Sequence, residues 1–447
     1  MPVAGNQAHD LGLQVQILSL HGFVMSESVV LASAFLLYLL LVRELMRPYL
    51  LLLLLLLGLI LTGPGWVAIV KAILIVSTFC LLVLTRHRGS VFFLILVVLS
   101  SLLLVSSSNW LSVYLALELQ ALSLFVLTGL SRRSAWSTEA SLKYFVLGAL
   151  SSAFFLLGCV LFYGATGEGG IGGIGGDLGK VFITTALLFK LSAAPFHMWA
   201  PDVYEGAPTS TAAVLAILPK AAVFSILVEV KPSYHLVLLC ALVSVIIGAL
   251  GALNQTRLKR LVAYSGIGHM GFILFSFAVG TLGSLQASLV YLLAYIAMSL
   301  CLFSAVISSH PRREYLWGLS AISRDNPGIS FVLALTFLST AGIPPLVGFL
   351  GKWLVLLSGL ASGYFQVCAV VAVFSVVAGF YYVRVVQLIY FPIDFSLLLW
   401  QRLLHSRPTA GLGPALLVSG TCYLVVFTLA LPGLVLQFGL WATLIPS

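Results

Sequence analysis

From about residue 26 onward the chain is a succession of apolar runs, most of 20 residues or longer, parted by short stretches of Gly, Pro, Ser and charge. Period-two alternation is rare, so the pattern predicts helices and not barrel strands. A helix needs about 20 mostly apolar residues to cross the hydrocarbon core of a bilayer. Breaking the runs at turn and charge signals predicts 14 segments. They lie near 26–45, 49–62, 66–85, 91–107, 109–130, 139–164, 179–203, 209–230, 234–254, 258–280, 284–309, 327–358, 362–391 and 412–440.

Composition excludes the soluble classes. The chain is 61% hydrophobic and 8% charged, where a soluble domain carries roughly 25% charged residues. The polar connections are too short to hold a soluble domain. The expected fold class is therefore all-α, a polytopic membrane helical bundle of about 14 transmembrane helices. A net charge of +9 suggests nucleic acid until its placement is examined. Loops after odd-numbered segments carry 14 of the 22 Lys and Arg, among them Arg86, Arg88, Arg257, Lys259 and Arg260, whereas loops after even-numbered segments carry only Lys180 and Lys231. Such asymmetry is the positive-inside pattern, and it puts both termini opposite the basic loops. The odd one out is the seventh loop, with Asp202 and Glu205 instead.

Two motifs carry nothing. All six cysteines fall in apolar runs with no CxxC, which argues against disulfides, zinc and iron–sulfur ligation. EGGIGGIGGDLG (168–179) contains a formal GxGxxG, yet it joins two membrane segments where a dinucleotide site needs a preceding strand. The first 25 residues lack Lys and Arg, so no signal or Arg-rich transit peptide is expected.

The chemistry lies in charges inside the segments. Lys71 and Lys143 sit near segment ends, where a lysine can snorkel to the interface. Glu118, Lys190, Lys220 and Lys352 are central. Each costs about 2.5–3.5 kcal/mol there, and such residues usually face a bundle interior or a hydrated cavity on an ion or proton path. Lys190 precedes Pro195, and Lys352 follows Pro344 and Pro345. Proline deletes a helix hydrogen bond and clashes with the preceding turn, so the seventh and twelfth segments should both be broken. Broken helices with ionisable groups are a mark of transporters built from repeats. Segments 4–8 and 9–13 would be two copies of five helices, the second inverted. This divides the chain into 1–90 with three helices, 91–230, 231–392, and 393–447 with an amphipathic linker and a last helix. Histidine titrates near neutrality and suits proton relay; His197 follows the first break and His269 lies mid-segment.

KLSAAPFHMWAPDVYEGAPT (190–209), NQTRLKRLVAYSGIGHMGF (254–272), STAGIPPLVGFLGKW (339–353), STEASLKYFVLG (137–148) and FYYVRVV (380–386) resemble the subunit 2 family of NADH:ubiquinone oxidoreductase, respiratory complex I. That family is antiporter-like and related to multi-subunit cation/proton antiporters. The likeness runs from about residue 90 to 392. It implies 14 transmembrane helices with inverted five-helix repeats, three of the helices preceding the first repeat. It also implies that Glu118 pairs with Lys190, that Lys220 and Lys352 continue a hydrated polar axis, and that His269 is the family's histidine. The implied role is proton translocation in the membrane arm, with FMN, iron–sulfur clusters and ubiquinone bound by other subunits and no cofactor in this chain. The implied partners are subunit 4L-like and subunit 4-like neighbours and lipid, not nucleic acid. The implied location is the mitochondrial inner membrane with basic loops to the matrix, the alternative being a bacterial plasma membrane. An independent cation/proton antiporter subunit and a non-pumping structural spacer are the rival readings.

Overall fold

The computed structural model describes residues 66–391, apart from 86–87, 132, 172, 174, 231, 310–314, 321 and 345, together with 412–427 and 433. All belong to the larger of two compact units, Gly63–Ser447. The first two expected segments, the linker after 392 and most of 428–440 lie outside the described residues.

The described chain is helical. Its helices are α1 (Trp66–Leu84), α2 (Arg88–Ser106), α3 (Trp110–Thr128), α4 (Ala135–Thr166), α5 (Asp177–Lys190), α6 (Trp199–Gly206), α7 (Thr209–Val230) and α8 (Tyr234–Ala252). There follow α9 (Leu258–Ala278), α10 (Leu282–Ser308), a 3-10 turn (Leu316–Leu319), α11 (Ile322–Asp325), α12 (Pro327–Ala341), α13 (Val347–Ala361), α14 (Phe365–Tyr390) and α15 (Leu412–Phe427). Among the described residues, eight of these helices are long and apolar enough to cross a membrane singly.

Two spans are made of halves, as proline predicted. Helix α5 has 14 residues, about 21 Å of helix, too short for a core of about 30 Å. Its crossing is completed by α6 after a break at 191–198 that contains Pro195 and Ser192 at φ 58°. Helices α12 and α13, each of 15 residues, are parted by Gly342 at φ 88° and Pro344. Gly342 ends α12 in the left-handed conformation and donates its N–H to Leu338 O and Ser339 O, the usual way glycine closes a helix. In α2 to α7 and again in α8 to α14, the fourth of five spans is the broken one.

Burial sorts the helices. The apolar windows of α7, α9 and α10 are 94%, 89% and 83% buried, against 28% for α4 and 22% for α14. The first three form the centre; the last two turn apolar side chains outward, as lipid-facing helices do. Small residues let the backbones close up: a Cβ on Gly248 of α8 would lie 2.6 Å from Gly268 N of α9. Membrane helices, with no hydrophobic force between them, gain their association from such close packing. The glycine-rich connection lies against the start of α3, where Trp110 N–H donates to Gly169 O and Ile171 N–H to Ser108 O. A helix, not a strand, precedes it.

Candidate functional site: a buried polar row

Two of the three central helices carry a polar group that the apolar pattern makes conspicuous, Lys220 on α7 and His269 on α9. Lys220 is buried in α7, directly after Pro219, which lies inside the helix. Its Nζ donates to the Tyr295 hydroxyl of α10 at 3.0 Å and lies 5.0 Å from the centre of that ring. The Tyr295 hydroxyl in turn donates to Ala216 O at 3.3 Å. Room for the ammonium comes from α9, where a Cβ on Gly266 would stand 3.0 Å from Lys220 Nζ.

His269, buried in α9, is held at both ring nitrogens. Nδ1 is 2.8 Å from the Tyr291 hydroxyl of α10 and Nε2 is 3.3 Å from the Tyr382 hydroxyl of α14. Tyr291 and Tyr295 are one turn apart, so one face of α10 serves His269 and Lys220 together. Lys352 of α13 donates to Thr340 O at 2.9 Å and Ala341 O at 2.8 Å, with the Phe272 ring 5.5 Å away. A cavity of about 10 Å³ lies among His269, Lys352, Ser265, Tyr381 and Tyr382, close to the room one water needs.

Lys190 is the last residue of α5, and the break begins after it. Its Nζ is buried and has no hydrogen-bond partner within the protein. Gly148 of α4 faces it: a Cβ there would be 4.0 Å from Nζ. Glu118 of α3 acts on Lys190 electrostatically, but the two do not form a direct ion pair. Both helices pack on α4. Trp199 closes the break by donating from Nε1 to Phe189 O at 3.0 Å and packing on Tyr144, ring centres 5.3 Å apart. His197 is buried in the break. Pro344 lies in the other break, exposed in this chain, and Pro345 falls outside the described residues.

The structure therefore sets Lys220 on Tyr295 and His269 between Tyr291 and Tyr382, brings Lys352 to the same cavity as His269 and Tyr382, and keeps Lys190 within electrostatic reach of Glu118. The tyrosines were not singled out from the sequence. The available signals were the i, i+4 spacing of Tyr291 and Tyr295 and the FYY of the 380–386 stretch. Pro219 was missed too, though it gives a third central lysine, Lys220, a proline nearby.

The acidic seventh loop also finds its explanation. Asp202 and Glu205 lie on α6, and Arg260 bridges them, at 3.1 Å from Asp202 and 3.2 Å from Glu205. Arg257 pairs with Glu205 and packs over the Trp136 and Tyr315 rings. Lys143 joins the cluster, 2.9 Å from Asp202 and 2.8 Å from Glu139. The basic ninth loop thus neutralises the acidic seventh. Two loops on one side of the membrane, one acidic and one basic, make a single clasp.

Residues 107–379 match the family described as NADH:quinone oxidoreductase/Mrp antiporter, transmembrane. The chain belongs to that family. Its matched region contains Glu118, Lys190, Lys220, His269 and Lys352. NADH-ubiquinone oxidoreductase chain 2 of Metridium senile is 49% identical over 356 residues, 76% of this chain and 92% of that protein. Among solved structures, a chain of respiratory complex I from Thermus thermophilus aligns with a TM-score of 0.80 and 30% identity, covering 92% of this chain and 98% of that one. A chain of the Mrp complex from Dietzia aligns with a TM-score of 0.74 at 19% identity, a likeness of fold alone. Family membership makes the chain a multi-pass membrane subunit of the antiporter type, at home among other membrane-arm subunits.

Proposed function

We propose that the chain is a proton-translocating membrane-arm subunit of NADH:ubiquinone oxidoreductase, respiratory complex I. The observation that carries this is the placement of Lys220 and His269, each bonded to buried tyrosines, inside two of the most buried helices of the bundle, with buried Lys352 of α13 lining the same small cavity as His269. Buried polar groups of this number are costly and are retained where they serve a path. The chain supplies no redox centre to the proposal; FMN, iron–sulfur clusters and ubiquinone are assigned to other subunits. Its neighbours would be subunit 4L-like and subunit 4-like chains, and its membrane the mitochondrial inner membrane with the clasp facing the matrix. The likeness to the chain 2 protein of Metridium senile supports that location.

The mechanism follows from electrostatics. In low dielectric an ammonium is costly unless a carboxylate is near or hydrogen bonds satisfy it. Glu118 stabilises a proton on Lys190 when it approaches. When it withdraws, the proton is driven toward Lys220, which accepts it on the lone pair of its neutral amine once its own proton has moved on past His269 to Lys352. Redox steps in other subunits need only bias the Glu118–Lys190 distance.

The test is Lys190→Ala and Glu118→Ala in the assembled complex, reading proton pumping against NADH–quinone turnover. Normal pumping in both variants would overturn the proposal. Purification in mild detergent separates the antiporter reading, which requires a small assembly free of flavin and iron–sulfur.

A further inference from the structure

Three lysines are buried among the described residues: Lys220 at 3% exposed, Lys71 at 4% and Lys352 at 8%. Two of them belong to the polar row. Lys71 was expected to snorkel to the interface from near the end of its segment, and it does not. It lies in the buried stripe of α1 with Val70, Leu74, Ile75 and Thr78. Burying an ammonium is costly, and this one stands on a helix outside both five-helix repeats.

Depth sets Lys71 apart. Lys190, Lys220, His269 and Lys352 lie near the middle of their spans, so the row runs along the plane of the membrane. Lys71 is displaced toward the face opposite the basic loops. It is five residues beyond Trp66, where α1 enters from that face, or about 8 Å along the helix. Lys220 is ten residues, about 15 Å, from the end of α7 at the same face. Helices α1, α2 and α7 pack on one another. At the depth of Lys71 the other two carry buried hydroxyls, Ser100 and Ser101 on α2 and Ser225 on α7, each five or six residues from its helix end. All three donate to the carbonyl three residues back, at 2.6–2.8 Å, which leaves lone pairs on their oxygens to accept. One turn beyond Ser225, half-buried Glu229 stands beside the end of α7. From mid-membrane outward the three helices thus carry Lys220, then a layer of Lys71 and hydroxyls, then a carboxylate.

We propose that Lys71 is a proton-carrying residue of an outlet that leads from Lys220 between α1, α2 and α7 to the face opposite the basic loops, with Glu229 at its mouth. The neutral amine of Lys71 takes a proton from the Lys220 ammonium through water lodged among the hydroxyls. Lys220 is left neutral and ready for the next proton, and Lys71 passes its own to the Glu229 carboxylate and so to bulk water. Lys220 then has two acceptors, Lys352 across the bundle and Lys71 toward the surface. The inference rests on the proton-path reading above, and its test is chosen so that the two can fail separately.

The test uses the assembled complex. Lys71→Arg keeps the positive charge but holds its proton at any working pH, so it would replace without loss a lysine that only balances charge. A several-fold fall in protons pumped per NADH oxidised, with an unchanged thermal midpoint, is expected. Wild-type pumping in Lys71→Arg or Lys71→Met, beside a loss in Lys190→Ala, would overturn the outlet and leave the path. Wild-type pumping in Lys190→Ala as well would overturn the path itself. A map of the wild-type complex at a resolution that shows water decides the matter whether or not the variants assemble. Water continuous from Lys71 Nζ to the Glu229 end of α7 is expected, and a Lys71 bonded only to protein would overturn the outlet.

Discussion

Lys352 Nζ donates to Ala341 O at 2.8 Å, so a lysine of α13 caps the end of α12, the other half of its own broken span. Lys190 stands at the corresponding break with no hydrogen bond at all. The two lysines share a role in the proposed path but differ in what they hold together.

That difference predicts how each fails. Lys352→Met should leave Thr340 O and Ala341 O unsatisfied at a cost of about 1–3 kcal/mol for each buried group that finds no other partner. A lower thermal midpoint and less assembled complex on native gels would report it. Lys190→Met removes a buried charge without breaking a hydrogen bond, so its complex should be as stable as wild type or more so. Both variants should pump poorly. Equal destabilisation by the two would contradict the geometry.

Gly342 predicts a second effect at the same place. Its φ of 88° suits glycine, and a Cβ would come within 2.9 Å of Lys352 Cδ. Gly342→Ala should therefore cost about 1–3 kcal/mol in backbone strain and push the lysine off its carbonyls. Reduced pumping together with reduced stability is the expected pair. A variant with wild-type values for both would show that the break does not depend on this conformation.

The tyrosines around His269 make a graded prediction. Tyr291 is 2.8 Å from Nδ1 and Tyr382 is 3.3 Å from Nε2, so the first bond is the stronger. Tyr291→Phe should slow coupled turnover more than Tyr382→Phe, and His269→Phe at least as much as either, with assembly retained. The rates of the three variants, measured in coupled membranes, check the order.

What could be read before the structure was known follows from how local each signal is. Pro195 and Pro344 announce their breaks because a missing N–H acts within one turn, and the expected 209–230 segment agrees with Thr209–Val230 because charge and proline bound it at both ends. Central lysines stand out for the same reason: nothing else in an apolar run resembles them. Tyr291, Tyr295 and Tyr382 do not stand out, since an aromatic on an apolar helix reads as packing until its partner on another helix is known. Counting loop charges gives the side of the membrane but not the pairing, so Asp202 and Glu205 look like an exception when they are the counterpart of Arg257 and Arg260.

The clasp carries the last prediction. Glu205 has a side chain only 8% exposed and meets two arginines, one of which also meets Asp202. Removing one partner of a buried pair leaves the other charges uncompensated, at about 3–5 kcal/mol for full burial. Arg257 and Arg260 are 25% and 38% exposed, so solvent screening reduces this to roughly 1–3 kcal/mol for Glu205→Ala. Asp202→Ala, whose carboxylate is 34% exposed, should cost less. Because α6 is only 8 residues long, it has little helical stability of its own. It depends on these pairs to stay packed between α4 and α9. The effect on function should therefore appear as poor assembly or a displaced half-helix, and not as a change in the titration of the central lysines. A double-mutant cycle of Glu205→Ala with Arg257→Ala should show the two losses to be far from additive. Additive losses would mean that the pair holds nothing.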